Sequence, residues 1–200
     1  MQVDNLFPTP LLTFTIPEDL LKNSITSANR YIKTKDWKNK RHFGRSLTSY
    51  HSDTSRNYLG SFDYPLAEYI NLQSRSYLDY VGFDPDSDLM IESWLNLNPP
   101  DTSHSKHEHY GCFMSGTLWL VAPEKSGNFV IHDPLGVRPQ NTTQYIFARK
   151  TPNDYNNDLF SVVPEAGKMI MFPSWLPHQV ESNQSVEDRI SVAFNIWMKI

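Results

Sequence analysis

The chain has 200 residues, 39% of them hydrophobic and 13% aromatic, enough to bury one substantial core but short for two. Eighteen Lys and Arg against 22 Asp and Glu leave a formal charge of -4, without the basic excess of a nucleic-acid binder. A single cysteine, Cys112, excludes an intramolecular disulfide framework, and no apolar run approaches the roughly 18 residues that span a bilayer.

Met1-Gln2-Val3-Asp4-Asn5 shows no basic region followed by a long apolar run, so the expectation is a soluble, cytoplasmic protein forming one domain over 1–200. Behind Pro17-Glu18-Asp19, the residues Leu21, Ile25, Ala28 and Ile32 recur at helical spacing, an amphipathic stripe with proline and acidic residues in its first turn. A second stripe uses Leu66, Ile70, Gln73, Tyr77 and Val81, and Gly82 is placed to stop it. Both are expected to be scaffold helices.

From about Leu89 the pattern changes to short strands rich in Val, Ile, Phe, Tyr and Trp, broken by Pro, Gly, Asn and Asp. The predicted strands are Met90–Asn98, Thr117–Val121, Asn128–His132, Gln144–Phe147, Lys168–Phe172 and Arg189–Trp197. Strands that follow helices rather than alternate with them favour a sandwich or barrel over a parallel doubly wound sheet. The predicted fold is mainly β with flanking helices, a cupin-like jelly roll or double-stranded β-helix. The helical buttress falls mostly in 1–88 and the barrel in 89–200.

Trp94, Asn96 and Asn98 alternate along the first of these strands, so one face presents an aromatic ring and two amides, to a ligand pocket or to cross-strand bonding. Next comes Lys106-His107-Glu108-His109. On a strand, residues i and i+2 share a face, so His107 and His109 can grip one ion while Glu108 points away. Imidazole suits zinc, iron, copper or nickel, and the pair does not choose among them. His104 stands three residues before His107, a helical rather than a strand spacing, and His132 has no partner; neither is counted as a ligand. Leu118 and Trp119 read as barrel packing. The stretch Leu135 to Pro164 is poor in apolar periodicity and reads as an excursion across the barrel mouth, with Arg138, Tyr145, Arg149 and Tyr155 as candidate substrate contacts.

His178 follows an apolar strand and a turn holding two prolines, a context that fixes a side chain at a strand end. Farther on, Arg189 to Asn195 alternates: Ile190, Val192 and Phe194 on one face, Arg189, Ser191, Ala193 and Asn195 on the other. The second face is too polar for ordinary core. An arginine fork beside a hydroxyl suits a carboxylate, and inside a barrel that means a small acidic ligand.

His-x-His, a distant third histidine and Arg189-x-Ser191 together resemble the Fe(II)/2-oxoglutarate-dependent oxygenase superfamily. The segments Leu6-Phe7-Pro8-Thr9-Pro10, Ser115-Gly116-Thr117-Leu118-Trp119-Leu120, Phe172-Pro173-Ser174-Trp175-Leu176-Pro177-His178 and Arg189-Ile190-Ser191-Val192-Ala193-Phe194-Asn195 resemble the small 2-oxoglutarate oxygenases of phage and marine bacteria. The resemblance implies Fe(II), 2-oxoglutarate as co-substrate and O2, with decarboxylation to succinate and oxidation of a small-molecule or peptide substrate. It implies that His107 and His178 ligate iron, with His109 where most of the superfamily has a carboxylate. Arg189 and Ser191 would hold the distal carboxylate of 2-oxoglutarate, and Asn96 would line the co-substrate pocket. The departure at position 109 leaves three arrangements open: a three-histidine iron centre, a triad completed by Glu108 or Asp133, or a zinc site. The alternative functions are a cupin-like three-histidine enzyme needing no keto acid, such as a thiol dioxygenase or zinc hydrolase, and a non-catalytic metal-containing binding module. Nucleic acid is not the expected partner, and a homo-oligomer is left open.

Overall fold

The computed structural model describes residues 1–4, 6–34, 47–50, 56–136, 148–153 and 155–199. Among these residues, three helices cover one face of a β-sandwich. Helix α1 (Glu18–Thr34) opens with Glu18 and Asp19 and ends near Lys33, charges that complement the helix dipole. It buries Ser24, Ala28 and Tyr31. A short helix that the periodicity did not announce, α2 (Tyr58–Phe62), is capped by Asn57 Oδ1, which accepts from the Gly60 N–H at 3.1 Å. Helix α3 (Tyr64–Tyr80) has Asp63 as N-cap and Pro65 in its first turn. It closes as predicted at Gly82 (φ 81°), where Gly82 N–H donates to Asp79 O and Phe83 N–H to Leu78 O, a Schellman ending. Leu66, Ile70 and Tyr77 are buried as their spacing requires, while Ser74 and Leu78 take the other inward positions rather than Gln73.

The strands are β1 (Leu12–Thr15), β2 (Leu47–Thr48), β3 (Leu89–Asn98), β4 (His104–His107), β5 (Met114–Val121), β6 (Phe129–His132), β7 (Leu159–Val162), β8 (Lys168–Pro173), β9 (His178–Val180) and β10 (Arg189–Met198). They form a six-stranded sheet ordered β1-β8-β5-β10-β3-β2 and a four-stranded sheet ordered β4-β9-β6-β7, with every strand pair antiparallel. This is the expected jelly roll. The predicted strand Gln144–Phe147 lies outside the described residues. Two corrections concern the rest of the prediction. The stretch from Leu135 to Pro164 is not wholly an excursion, because β7 pairs with β6 inside it; its residues are largely exposed, so no alternation marked it. The front segment is not only a buttress, because β1 and β2 complete the larger sheet at both edges.

The larger sheet is buried on both faces, which explains why its central strands read as nearly continuous apolar runs. Outside, Leu95, Leu118, Met171, Val192 and Ile196 pack with Tyr31, Leu66, Ile70 and Leu78 of the helices. Inside, Trp119, Phe129, Ile131, Ile170, Phe172 and Leu176 fill one end of the space between the sheets. Each such side chain contributes about 1.5–3 kcal/mol by leaving water. Gly116 on β5 faces Phe194 on β10, and a Cβ there would sit 2.3 Å from Phe194 Cζ and 2.7 Å from Ile170 O. The ring lies where a side chain would be.

Candidate metal centre and anion pocket

The rest of the space between the sheets is a cavity open to solvent at its mouth. His107, His109 and His178 all line it. One ligand atom of each imidazole lies within 4.8 Å of the others, so far-separated residues converge on one point. Backbone register brings two of them together, since His107 on β4 pairs directly with His178 on β9. His109 is not on that strand, as the i, i+2 argument assumed: β4 ends at His107. The turn that follows is held by His109 N–H donating to Ser174 O at 3.0 Å, and the His109 ring stands 5.8 Å from that of Trp94.

The tautomers suit metal binding. His107 Nδ1 lies 2.8 Å from Ser105 O, and His178 Nδ1 lies 2.8 Å from Leu176 O. A carbonyl can only accept, so each Nδ1 carries a proton, which leaves Nε2 as the atom of each ring that can ligate. Backbone carbonyls behind ligating imidazoles are the usual second support of such a site. His178 is 3% exposed, and burial, reinforced by His107, pushes its pKa down to about 3. Burial and His107 likewise lower His109 to about 4. Both rings are therefore neutral, the form that binds a metal. Glu108 is half-buried and accepts from the Tyr110 hydroxyl, and Asp133 Oδ1 accepts from Leu135 N–H at 2.9 Å. Neither carboxylate belongs to the converging group.

At the other end of the cavity lies Arg189, 1% exposed. Its Nη1 donates to Ser126 O and to Gly127 O, the latter at 3.2 Å. Gly127 presents that carbonyl from a left-handed backbone (φ 86°), where a Cβ would stand 2.3 Å from Glu181 O. Among the described residues no carboxylate pairs with this guanidinium. Burial lowers its pKa to about 10, which leaves it a cation at neutral pH. Ser191 and Asn96 also line the cavity, and they are cross-strand partners of each other, as Arg189 is of Asn98. The Asn96 Oδ1 is buried without a hydrogen-bond partner among the described residues.

The sequence-predicted residues Asn96, His107, His109, His178, Arg189 and Ser191 thus share one cavity, together with Trp94 and Asn98. Asn195, read on the same face as Arg189, instead accepts from Ser115 Oγ at 2.8 Å and does not line the cavity. Trp119 is packing, as expected, and also wall. Arg138 and Tyr145 lie outside the described residues. Arg149 donates to Asn156 O and Asn157 Oδ1, holding its own loop, and neither it nor Tyr155 lines the cavity. His104, not counted as a ligand, stands outside the converging group but does line the cavity. A β-bulge between His104 and His107 shifts the register, so that a spacing of three still leaves both rings on the cavity wall. No periodicity argument reveals a bulge.

Residues 92–195 match the family described as "Putative 2OG-Fe(II) oxygenase", and that span carries every one of the six residues above. The chain belongs to the 2OG-Fe(II) oxygenase family, whose metal and co-substrate are iron(II) and 2-oxoglutarate. No curated protein matches it. Among solved structures it is similar to the epimerase SnoN from nogalamycin biosynthesis in complex with Fe3+, alpha ketoglutarate and nogalamycin RO, at 13% identity and TM-score 0.64, over 94% of this chain and 78% of that one. A Pseudomonas putida prolyl-4-hydroxylase is 14% identical, with TM-score 0.60 over 95% of this chain and 93% of that one. An oxidoreductase of the 2OG-Fe(II) oxygenase family from Burkholderia pseudomallei matches 56% of this chain at 15% identity and TM-score 0.42, and the match spans only 46% of its length. At such identities the likeness concerns the fold, a double-stranded β-helix. No helix among the described residues is long and apolar enough to cross a membrane.

Proposed function

We propose that the chain is a single-domain, cytoplasmic Fe(II)- and 2-oxoglutarate-dependent dioxygenase that hydroxylates an amino-acid side chain or a small molecule, with 2-oxoglutarate decarboxylated to succinate. The observation that carries this reading is Arg189: a buried guanidinium with no carboxylate among the described residues, in the same cavity as three converging imidazoles. A cation so placed is costly unless an anion completes it.

His107, His109 and His178 would hold the iron, which when bound supplies the oxygen activation needed to oxidise the co-substrate and then a C–H bond. The carbonyls of Ser105 and Leu176 keep two of the rings in the ligating tautomer. A donor set without a carboxylate cancels none of a divalent ion's charge, which favours a dianionic keto acid over a neutral ligand. Arg189 would receive the distal carboxylate through the N–H groups left after Nη1 meets its two carbonyls, with the Ser191 hydroxyl beside it. The Asn96 amide would take a polar atom of the co-substrate, satisfying its orphaned oxygen or presenting its N–H group. Trp119, Phe129 and Phe172 line the cavity with apolar surface that excludes water. Tyr110 and Trp175, 77% and 47% exposed, sit on the two loops tied by the His109–Ser174 bond, and would offer flat apolar contact to a substrate at the mouth.

Anaerobic titration with iron(II) followed by 2-oxoglutarate should produce the weak visible charge-transfer band of a chelated keto acid, and admission of oxygen should yield succinate. Arg189→Ala should abolish the band at the same co-substrate concentration. Absence of both band and succinate, or co-substrate binding that ignores Arg189→Ala, refutes the proposal. Zinc retained through purification with no keto-acid affinity would assign the site to a metal enzyme of another kind.

A further inference from the structure

We infer that His104 is a second contact to the co-substrate's distal carboxylate, a neutral N–H donor set beside the Arg189 guanidinium. This rests on the co-substrate reading above and extends it to a residue that the three-histidine cluster does not contain.

Placement is the first argument. Arg189 comes from the larger sheet and His104 from the smaller one, and both line the cavity. The residue opposite Arg189 in the β3–β10 register is Asn98, whose Nδ2 lies 2.8 Å from His104 Nε2. A single amide thus joins the ring to the strand position facing the guanidinium.

Proton bookkeeping is the second. The buried Thr102 hydroxyl donates its hydrogen to Pro99 O at 2.7 Å, so toward the Asn98 side chain, 3.4 Å away, it can only accept. The Asn98 group pointing that way is therefore the NH2. Since the same Nδ2 faces His104, Nε2 of the ring is the acceptor and the proton of the neutral imidazole sits on Nδ1. Nδ1 has no partner among the described residues. Burial, with Arg189 and then His107 adding to it, lowers the ring's pKa to about 4, in keeping with a neutral donor that adds no second positive charge next to the arginine. A carboxylate fits this pair: charge and one hydrogen bond from Arg189, a further hydrogen bond from His104.

The test is calorimetric titration of 2-oxoglutarate into the full-length protein loaded with Mn(II), with no oxygen chemistry involved. His104→Leu should weaken 2-oxoglutarate binding by about 10- to 100-fold, the loss of one hydrogen bond to a charged group, while Mn(II) affinity stays within about twofold. His104→Asn, whose amide nitrogen can occupy the place of Nδ1, should recover most of the affinity, and His104→Gln, which reaches the place of Nε2, should not. If the leucine variant fails to fold, the Asn and Gln pair gives the same discrimination. Equal binding by wild type and the folded variants, equal binding by Asn and Gln, or a loss that tracks Mn(II) affinity or melting temperature would overturn the inference alone. If wild type itself binds no 2-oxoglutarate, the co-substrate reading falls and this inference with it.

Discussion

Replacing Arg189 by methionine, of similar length and without charge, separates the two roles a buried arginine can have. Burial lowers the guanidinium pKa from its ordinary value to about 10. At about 1.4 kcal/mol per pH unit this corresponds to roughly 3 kcal/mol spent on keeping the ion in the cavity wall. Against it stand the two bonds to Ser126 O and Gly127 O, about 1.5 kcal/mol each as charge-assisted contacts. The two sums nearly cancel. Arg189→Met without 2-oxoglutarate should therefore melt within about 4 °C of wild type, at 2–4 °C per kcal/mol for a chain of this size. A hundredfold excess of 2-oxoglutarate over its dissociation constant should stabilise the Mn(II)-loaded wild type by about 2.7 kcal/mol, or about 5–10 °C, and should leave the variant unmoved. Scanning calorimetry with and without 2-oxoglutarate reads both numbers. A variant that melts about 10 °C or more below wild type yet keeps the co-substrate shift would show that the guanidinium holds the fold and binds nothing, since removing one partner of a buried pair costs about 3–5 kcal/mol.

The metal-free protein should lose stability as the pH falls below about 6.5, because His104, His109 and His178 stay neutral when folded, with pKa values near 4, 4 and 3, but take up protons when unfolded. Their contribution is complete above the unfolded value and declines as the pH drops toward the folded ones. His178→Gln should remove about 1.4 kcal/mol per pH unit of that decline, and urea midpoints at about pH 7, 6 and 5 that fall in parallel for both proteins would contradict it. Gly116→Ala should destabilise by about 1–3 kcal/mol, since its Cβ meets Phe194 Cζ at 2.3 Å and the Ile170 carbonyl at 2.7 Å. Adding Phe194→Leu should recover part of the loss; a neutral Gly116→Ala, measured by denaturant unfolding, would show that the ring has room to move.

Patterns of period two carried much of the site. Alternation along Arg189–Asn195 placed Arg189 and Ser191 on one face, and alternation along Trp94–Asn98 did the same for Asn96; both hold because β3 and β10 are long, regular, adjacent strands. Where the backbone departs from the ladder, the same reasoning failed. His109 was grouped correctly with His107 for a reason that does not apply, since it lies beyond the end of β4. His104 is not among the ligands, yet a bulge brings it to the cavity wall, which its spacing did not announce. The strand β7, Leu159-Phe160-Ser161-Val162, is apolar but mostly exposed, and no alternation separates it from the loop around it.

The two long helix stripes, the Schellman glycine and the long buried strands are local matters, set by periodicity and by the conformations that each residue type tolerates, and the chain declares them without reference to its own folded shape. Convergence is not local. His178 meets His107 across one strand pair, and Arg189 meets Asn98 across another. Which carbonyl orients each imidazole, and the burial that leaves Arg189 a cation with no carboxylate partner among the described residues, arise only when two sheets close on a common interior, because hydrogen bonding and desolvation depend on neighbours that the linear order does not name.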